Sequence, residues 1–277
     1  DISKQVSFLK EGQTLLANIA HVLTRNNTFN EKINTILQLA GKSLDVSRVY
    51  IFEDDLDRQV TNNTFEWCNT DITPQIDILQ DVPFSIVNEW YELIGSHGYV
   101  HADNIRDLPE SIQAVLAPQD IVSIVVLKLP LPDQGTGFVG FDECSHERTW
   151  QQSELDVLIS ITGIIASLYE NDYLQKKLLS HEHNYMNMFN TISDFIFVAD
   201  LDGYFLQVNN AVKERTAYAD IKRNKGKVHI LDLHPNHLHQ KAEEILMEML
   251  NGKRADCPLP LRGKYGQEIP VETSIWL

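Results

Sequence analysis

The stretch from Trp150 to Ile192 constrains this chain more than any other. Leu158, Ile161, Ile165 and Leu168 fall at steps of three and four, Asp172 and Gln175 continue the seam, and Leu179 follows. That is a helix whose apolar stripe is interrupted by polar residues. No proline occurs between Pro132 and Pro235, and Gly163 is the one glycine inside the stretch, so nothing forces a break. A helix from about Gln151 to about His181 is ~45 Å long at ~1.5 Å per residue, longer than a small domain is wide. It therefore connects two bodies or pairs with a copy of itself; the alternative is a last domain helix followed by an ordinary linker.

The sequence has 277 residues, enough for about two domains that each bury a core. Cys68, Cys144 and Cys257 are scattered, odd in number and without CxxC spacing, which points to a reduced compartment and away from a disulfide or zinc framework. No apolar run approaches the ~18 residues that span a bilayer, and the opening DISKQVSFLK has no signal-peptide pattern. A cytoplasmic location without membrane contact is expected for this portion. Because the sequence opens without methionine and stops at Leu277 inside an alternating run, it reads as an excised piece. Charge is split: residues 1–172 hold 26 acids against 10 bases, whereas residues 173–277 hold 13 of each. The acidic first half and neutral second half repel phosphate, so nucleic acid is not an expected partner.

In the first module, Leu16, Ile19, Ala20 and Leu23 make one amphipathic face and Ile33, Ile36, Leu37, Ala40 and Leu44 a second. Strands follow at Arg48–Glu53 and Thr64–Cys68, then a long excursion from Asn69 to about Ser85 of the kind that forms lids or binding segments. A short helix carries Ile86, Trp90, Leu93 and Ile94. Tyr99–Ala102 is a strand and Leu108–Leu116 a helix, and Ser123–Leu131 with Thr136–Phe141 forms a hairpin around Asp133-Gln134-Gly135. This order gives an α+β fold, an antiparallel sheet with flanking helices.

The segments SRVYIFEDD, EWCNTDITPQIDILQDVPFS and TGFVGFDECSHERTW resemble GAF domains at the input end of bacterial sensor histidine kinases and cyclic-di-GMP signalling enzymes, over nearly all of residues 1–172. Tyr50, Phe52, Trp67, Phe84 and Trp90 are the aromatic residues best placed to line the pocket such a domain encloses, with core filling as the alternative. Phe138, Asp142 and Glu143 match the second half of the cyclic-nucleotide signature of some GAF domains, but its Asn-Lys half is absent, Asn104-Ile105-Arg106 being the nearest approach. Bilin-binding relatives attach their chromophore through a cysteine usually followed by histidine. Cys144-Ser145-His146 has the wrong spacing, so no bilin is expected.

Residues 173–183 read as a helical linker, and a second module occupies 184–277. Phe195–Ala199 and Tyr204–Val208 are strands joined by the tight turn Asp200–Gly203, and Asn209-Asn210 offers a helix N-cap. After the basic loop Lys222–Lys227 and ILDLHP comes a helix with Leu238, Ala242, Ile245, Leu246 and Met249 on one face, closed by Asn251-Gly252. Pro258 and Pro260 remove donors from one side of the next strand, which makes it an edge. Ile269, Val271, Thr273, Ile275 and Leu277 alternate in a closing strand, and one further strand is expected beyond it.

The runs DFIFVADLDGYFLQVNNAVKERTAY, ILDLHP and GKYGQEIPVET are similar to PAS domains, and the missing strand corresponds to that family's last of five. The resemblance makes Phe197, Asn209 and Tyr218 candidates for a PAS pocket, with capping and packing as alternative duties for the latter two. Flavin photochemistry needs a cysteine that Asn224–His234 lacks. His234, His237 and His239 cluster where a haem-binding PAS domain could place its axial ligand, but solvated histidines are common at a helix entry. The expectation is no haem, metal, flavin or bilin.

No nucleophile and base pair or metal-ligand spacing occurs. The G-x-G-x-x-G at 135–140 sits in a hairpin rather than a strand-to-helix turn, so it is not a dinucleotide loop. The fragment is expected to be no enzyme but the tandem GAF-PAS input region of a signalling protein. It would bind a small molecule or partner, dimerise through the connecting helix and drive a histidine kinase; a diguanylate cyclase and a ligand-free scaffold are the alternatives.

Overall fold

The computed structural model describes residues 2–252 and 256–274. Two compact units, Asp1–Lys176 and Lys177–Leu277, divide within one long helix.

Unit 1 opens with α1 (Ile2–Thr24) and α2 (Phe29–Leu44). α2 starts on a reciprocal cap: the Glu31 amide donates to Thr28 Oγ1 at 3.3 Å and Glu31 Oε2 accepts from the Thr28 amide at 2.8 Å. It ends at Asp45, held left-handed at φ 50°. Strands β1 (Arg48–Asp55), β2 (Val60–Cys68) and β3 (Val82–Pro83) precede α3 (Phe84–Ile94), β4 (Tyr99–Ala102), α4 (Glu110–Leu116), β5 (Ser123–Pro130) and β6 (Thr136–Glu143). The strands form one curled antiparallel sheet in the order β3-β2-β1-β6-β5-β4. The fold class is the expected α+β.

The sheet is apolar on both faces, and each face has its own core. Val49, Ile51, Val125, Leu127, Val139 and Phe141 pack with α1, α2 and the next helix, α5 (Gln152–Thr191). Tyr50, Phe52, Ile124, Val126 and Phe138 pack with α3 and α4. Strand alternation accounts for the division, since neighbours in sequence point to opposite faces. On α1 the buried face is Leu15, Ile19 and Val22, while Ala20, expected there, is exposed.

The long helix is present, running ten residues further than expected. Its start is fixed by Glu154, whose carboxylate accepts from the Gln151 amide at 3.0 Å and pairs with Arg148 at 2.7 Å. Leu158, Ile161 and Ile165 of the expected stripe are fully buried in unit 1. The stripe is thus used by this unit's own core, and Leu179, at 61 % exposed, takes no part in it. No helix among the described residues is long and apolar enough to cross a membrane.

Unit 2 contains β7 (Phe197–Ala199), β8 (Phe205–Val208), α6 (Asn210–Arg215), α7 (Tyr218–Lys225), α8 (His239–Leu250), β9 (Asp256–Cys257), β10 (Leu261–Arg262), β11 (Glu268–Ile269) and β12 (Thr273–Ser274). The turn between β7 and β8 is held by Asp200 Oδ1, which accepts from the Tyr204 amide at 2.8 Å, and by Gly203 at φ 86°, where a Cβ would meet the His229 ring. A single sheet was expected; among the described residues there are three separate two-stranded ladders, β7-β8, β10-β11 and β9-β12. Pro258, Pro260 and Pro270 explain the separation of β9-β12 from β10-β11, because each removes a ladder donor between the short paired pieces. Ile275 and Leu277 of the expected closing strand lie outside the described residues. The core is built from Val208, Val212, Tyr218 and Leu233, with a second cluster of Ala242, Ile245, Met249, Cys257 and Leu259.

Candidate functional site

Strand β1 organises the site in unit 1. Arg48, Tyr50 and Phe52 project to one face and enclose a cavity of about 40 Å³ with residues of α3, α4 and the 69–81 loop. Phe52 stacks on Phe138 at 4.7 Å between centroids and meets Tyr50 edge-on at 5.6 Å. Tyr50 lies across Gly140, its cross-strand partner, where a Cβ would come within 2.1 Å of the ring. That close approach, with Gly137 against the Phe52 carbonyl, is what the glycines of the 135–140 segment provide.

One end of the cavity is polar. Three residues of β1 and β2 meet there because of an irregularity: the register between these strands shifts at Ile51/Phe52, so Asn63 and Glu66, three apart, share a face. Asn63 Nδ2 donates to Glu66 Oε1 at 3.3 Å, and Arg48 Nε lies 3.9 Å from the same oxygen. Arg48, 2 % exposed, also reaches Asp142 Oδ2 at 3.8 Å and donates to Gln119 Oε1 and to the Gln119 carbonyl, each at 3.3 Å. Tyr50 Oη donates to Asp142 Oδ1 at 3.0 Å. Burial works against the Arg48 charge, but Asp142 and the neighbouring groups outweigh it and hold the guanidinium above its ordinary value. Burial wins at Asp142, whose carboxyl is pushed up to about 7 despite Arg48. Burial, reinforced by Asp142, raises the Tyr50 hydroxyl well above the ordinary tyrosine range. Three buried polar atoms have no hydrogen-bond partner: Arg48 Nε, Asn63 Oδ1 and Asp142 Oδ2.

Glu66 also holds the long excursion in place. Its Oε2 accepts from the amides of Gln75 at 2.8 Å and Ile76 at 3.0 Å, while Gln80 Nε2 donates to the Asn63 carbonyl at 2.7 Å. Leu79 and Val82 are thereby laid over the cavity. On the reverse face of β1, Tyr169 of α5 donates to Glu53 Oε1 at 2.6 Å, and Val49 and Ile51 pack in the core that holds Leu158, Ile161 and Ile165. One strand is therefore a wall of the cavity and the floor beneath α5.

Of the expected pocket residues, Tyr50, Phe52 and Trp90 stand in the cavity wall. Phe84 packs behind it, against the same cluster. Trp67 is placed on the opposite face, opposite Val49 in register, with its ring over Gly41 of α2. Sequence reading missed Arg48, Asn63 and Glu66. A charged residue in phase with Tyr50 and Phe52 was the available signal for Arg48; nothing in the sequence announces the shift that brings Asn63 round to Glu66. Of the cyclic-nucleotide half-signature, Phe138 faces the cavity, whereas Glu143 turns to Ser47 Oγ and Ser145 Oγ at 2.9 and 2.5 Å.

In unit 2, Phe197 lines both a cavity of about 20 Å³ and a cleft of about 830 Å³ bounded by residues 193–201 and 269–274. Asn209 is fully buried and works as a tie: its Oδ1 accepts from the amides of Ile196 and Val212, each at 3.2 Å, and its Nδ2 donates to the carbonyls of Ile192 and Asp194 at 3.1 and 2.8 Å. Tyr218 is buried in the core against Phe205. The three clustered histidines turn to separate partners. His234 Nδ1 lies 2.9 Å from the Pro260 carbonyl, His239 Nε2 lies 3.0 Å from the His234 carbonyl, and His237 Nε2 is 3.7 Å from Glu268. Burial lowers the His234 pKa below the ordinary histidine value, against the opposing pull of the Pro260 carbonyl. No group of three metal-ligating side chains is present among the described residues.

No family model matches the sequence. The phycocyanobilin-bound GAF domain of a cyanobacterial phytochrome superposes with a TM-score of 0.53 at 15 % identity, covering 59 % of this chain and 96 % of that one. Unit 1 has the GAF fold. A far-red absorbing dark state of JSC1_58120g3 with bound biliverdin IXa gives 0.48 at 13 % identity, covering 57 % of this chain and 96 % of that one. The methanogenesis regulatory histidine kinase FilI of Methanothrix harundinacea (strain 6Ac) is 35 % identical over 170 residues, which are 59 % of this chain and 19 % of that protein. The chain is thus homologous to a histidine kinase regulator, and the match spans about a fifth of that relative's length.

The phycocyanobilin-bound neighbour corrects one expectation. The exclusion of a bilin rested on the spacing of Cys144-Ser145-His146, yet unit 1 has the fold of a domain that holds phycocyanobilin. Cysteine spacing speaks to covalent attachment, not to what the fold can enclose.

Proposed function

We propose that this chain is the signal-input region of a histidine kinase, with unit 1 receiving a small molecule in the cavity behind β1. The observation that carries the reading is the pairing of a small, partly polar cavity with a strand whose other face bears α5. A ligand that shifts Arg48, Tyr50 or Phe52 displaces the strand on which Leu158 to Tyr169 of α5 rest. Two-state elements of this kind couple sites by about 1–3 kcal/mol. The kinase homologue favours a kinase output over a cyclase.

In this reading residues 184–277 are a PAS domain, supported by the strand pair, the short helices and the α8 packing in the expected order. The chain pairs with a copy of itself along α5. Because Leu158 to Ile165 are consumed by unit 1, the pairing seam lies further on, at Leu178, His181, Tyr185 and Met188, spaced three and four apart. Leu178 and Met188 are each 68 % exposed.

Native mass spectrometry of freshly purified protein, with a visible absorbance scan, tests the receptor reading. A retained small molecule, or a visible band marking a bilin, supports it; an empty chain that binds nothing from a metabolite mixture is a scaffold instead. Sedimentation tests the seam: a dimer that Leu178→Glu dissociates is expected, and a strict monomer at high concentration contradicts it.

A further inference from the structure

The polar end of the unit 1 cavity is specific about what it still needs. Arg48 and Asn63 are each 2 % exposed, both stand in the cavity wall, and both lie beside Glu66 Oε1. The terminal nitrogens of Arg48 are engaged with Gln119, and Asn63 Nδ2 with Glu66. Within the cavity wall, which Asp142 does not line, the atoms left without a partner are one donor, Arg48 Nε–H, and one acceptor, Asn63 Oδ1. A buried polar group without a partner is costly, so a ligand that supplies both partners gains more here than in water. The charge is equally informative: Glu66 and Asp142 face the single guanidinium at 3.9 and 3.8 Å, so no positive charge is spare for an anion. About 40 Å³ admits a body of roughly three or four heavy atoms, a water needing roughly 10–15 Å³ of such space. The rest of the wall, including Phe52, Val87, Trp90 and Phe138, is apolar.

Resting on the reading of this cavity as a receptor site, we propose that it recognises a small uncharged molecule of the primary amide type, its carbonyl accepting from Arg48 Nε–H and its amide donating to Asn63 Oδ1, and that it refuses carboxylates and phosphates. Glu66, which orders both side chains and the amides of Gln75 and Ile76, ties amide recognition to the loop over the cavity.

The test is nitrogen-15 NMR of the whole chain titrated with acetamide, acetate, methylammonium and inorganic phosphate at equal concentrations. Acetamide is expected to shift the Arg48 Nε–H and Asn63 Nδ2 signals saturably, with a Kd on the order of millimolar, the scale fragments of this size reach. The three charged probes are expected to leave those signals in place. Asn63→Leu is expected to weaken acetamide at least about tenfold by removing the acceptor; if that variant does not fold, the contrast between acetamide and acetate in the wild type decides. Acetate, phosphate or methylammonium binding as well as acetamide overturns the amide assignment and leaves the receptor site standing. If no probe of any charge moves these signals, both fall.

Discussion

The two units bury an antiparallel sheet in different ways. In unit 1 six strands make one sheet covered on both faces, and the space that remains is small and set with charge. In unit 2 the described strands form three two-residue to four-residue ladders beside a cleft about twenty times larger. The difference traces to a few residues. β1, β5 and β6 alternate large apolar side chains to both faces without a proline before Pro130, whereas Pro258, Pro260 and Pro270 cut the later strands of unit 2 into pieces. Continuous pairing makes a wall that a cavity can be built on. Interrupted pairing leaves unit 2 dependent on individual ties such as Asn209.

That contrast can be broken or sharpened. Arg48→Met leaves Glu66 and Asp142 buried without their cation and is expected to cost unit 1 about 3–5 kcal/mol, read by urea unfolding; a loss under about 1 kcal/mol means the cluster is not held by charge. Asn209→Ala removes four hydrogen bonds and is expected to cost unit 2 about 2–4 kcal/mol, with faster amide exchange at Ile196 and Val212. An effect there no larger than a surface substitution contradicts its role as a tie. Gly140→Ala sets a Cβ against the Tyr50 ring and is expected to cost about 1–3 kcal/mol and displace that ring, visible in its NMR signals.

The pH test concerns Asp142. Its folded pKa of about 7 lies above the ordinary 3.8, so the folded chain holds an extra proton between these values. The stabilisation from that proton is complete below about pH 4 and is lost as pH rises through about 7. Unit 1 is expected to lose stability steadily across this window, a loss that an Asp142→Asn variant does not show. Equal pH profiles in the two proteins contradict the assignment.

How much of this was legible in the sequence follows the same division. The element order of unit 1 was readable except for β3, two residues long and hidden in the excursion after Asn69, and the faces of α2 and β1 were readable because period and apolar phase agree along them. The side taken by Trp67 was not, since it depends on pairing opposite Val49, and the polar end of the cavity depends on a register shift with no local signature. The apolar stripe of α5 was readable, but its use was not: Leu158 and Ile165 carry the same pattern whether they meet a second chain or a sheet. In unit 2 the prolines were read as marking an edge; the structure shows them dividing the ladders as well.

The central claim is that β1 passes a change from the cavity on one face to α5 on the other. Hydrogen exchange of the whole chain with and without saturating acetamide tests it most directly. The account predicts slowed exchange in Arg48–Asp55 and in α5 between Leu155 and Tyr169, together with the 69–81 loop. Protection confined to the loop and α3, or no change at any amide, would contradict it.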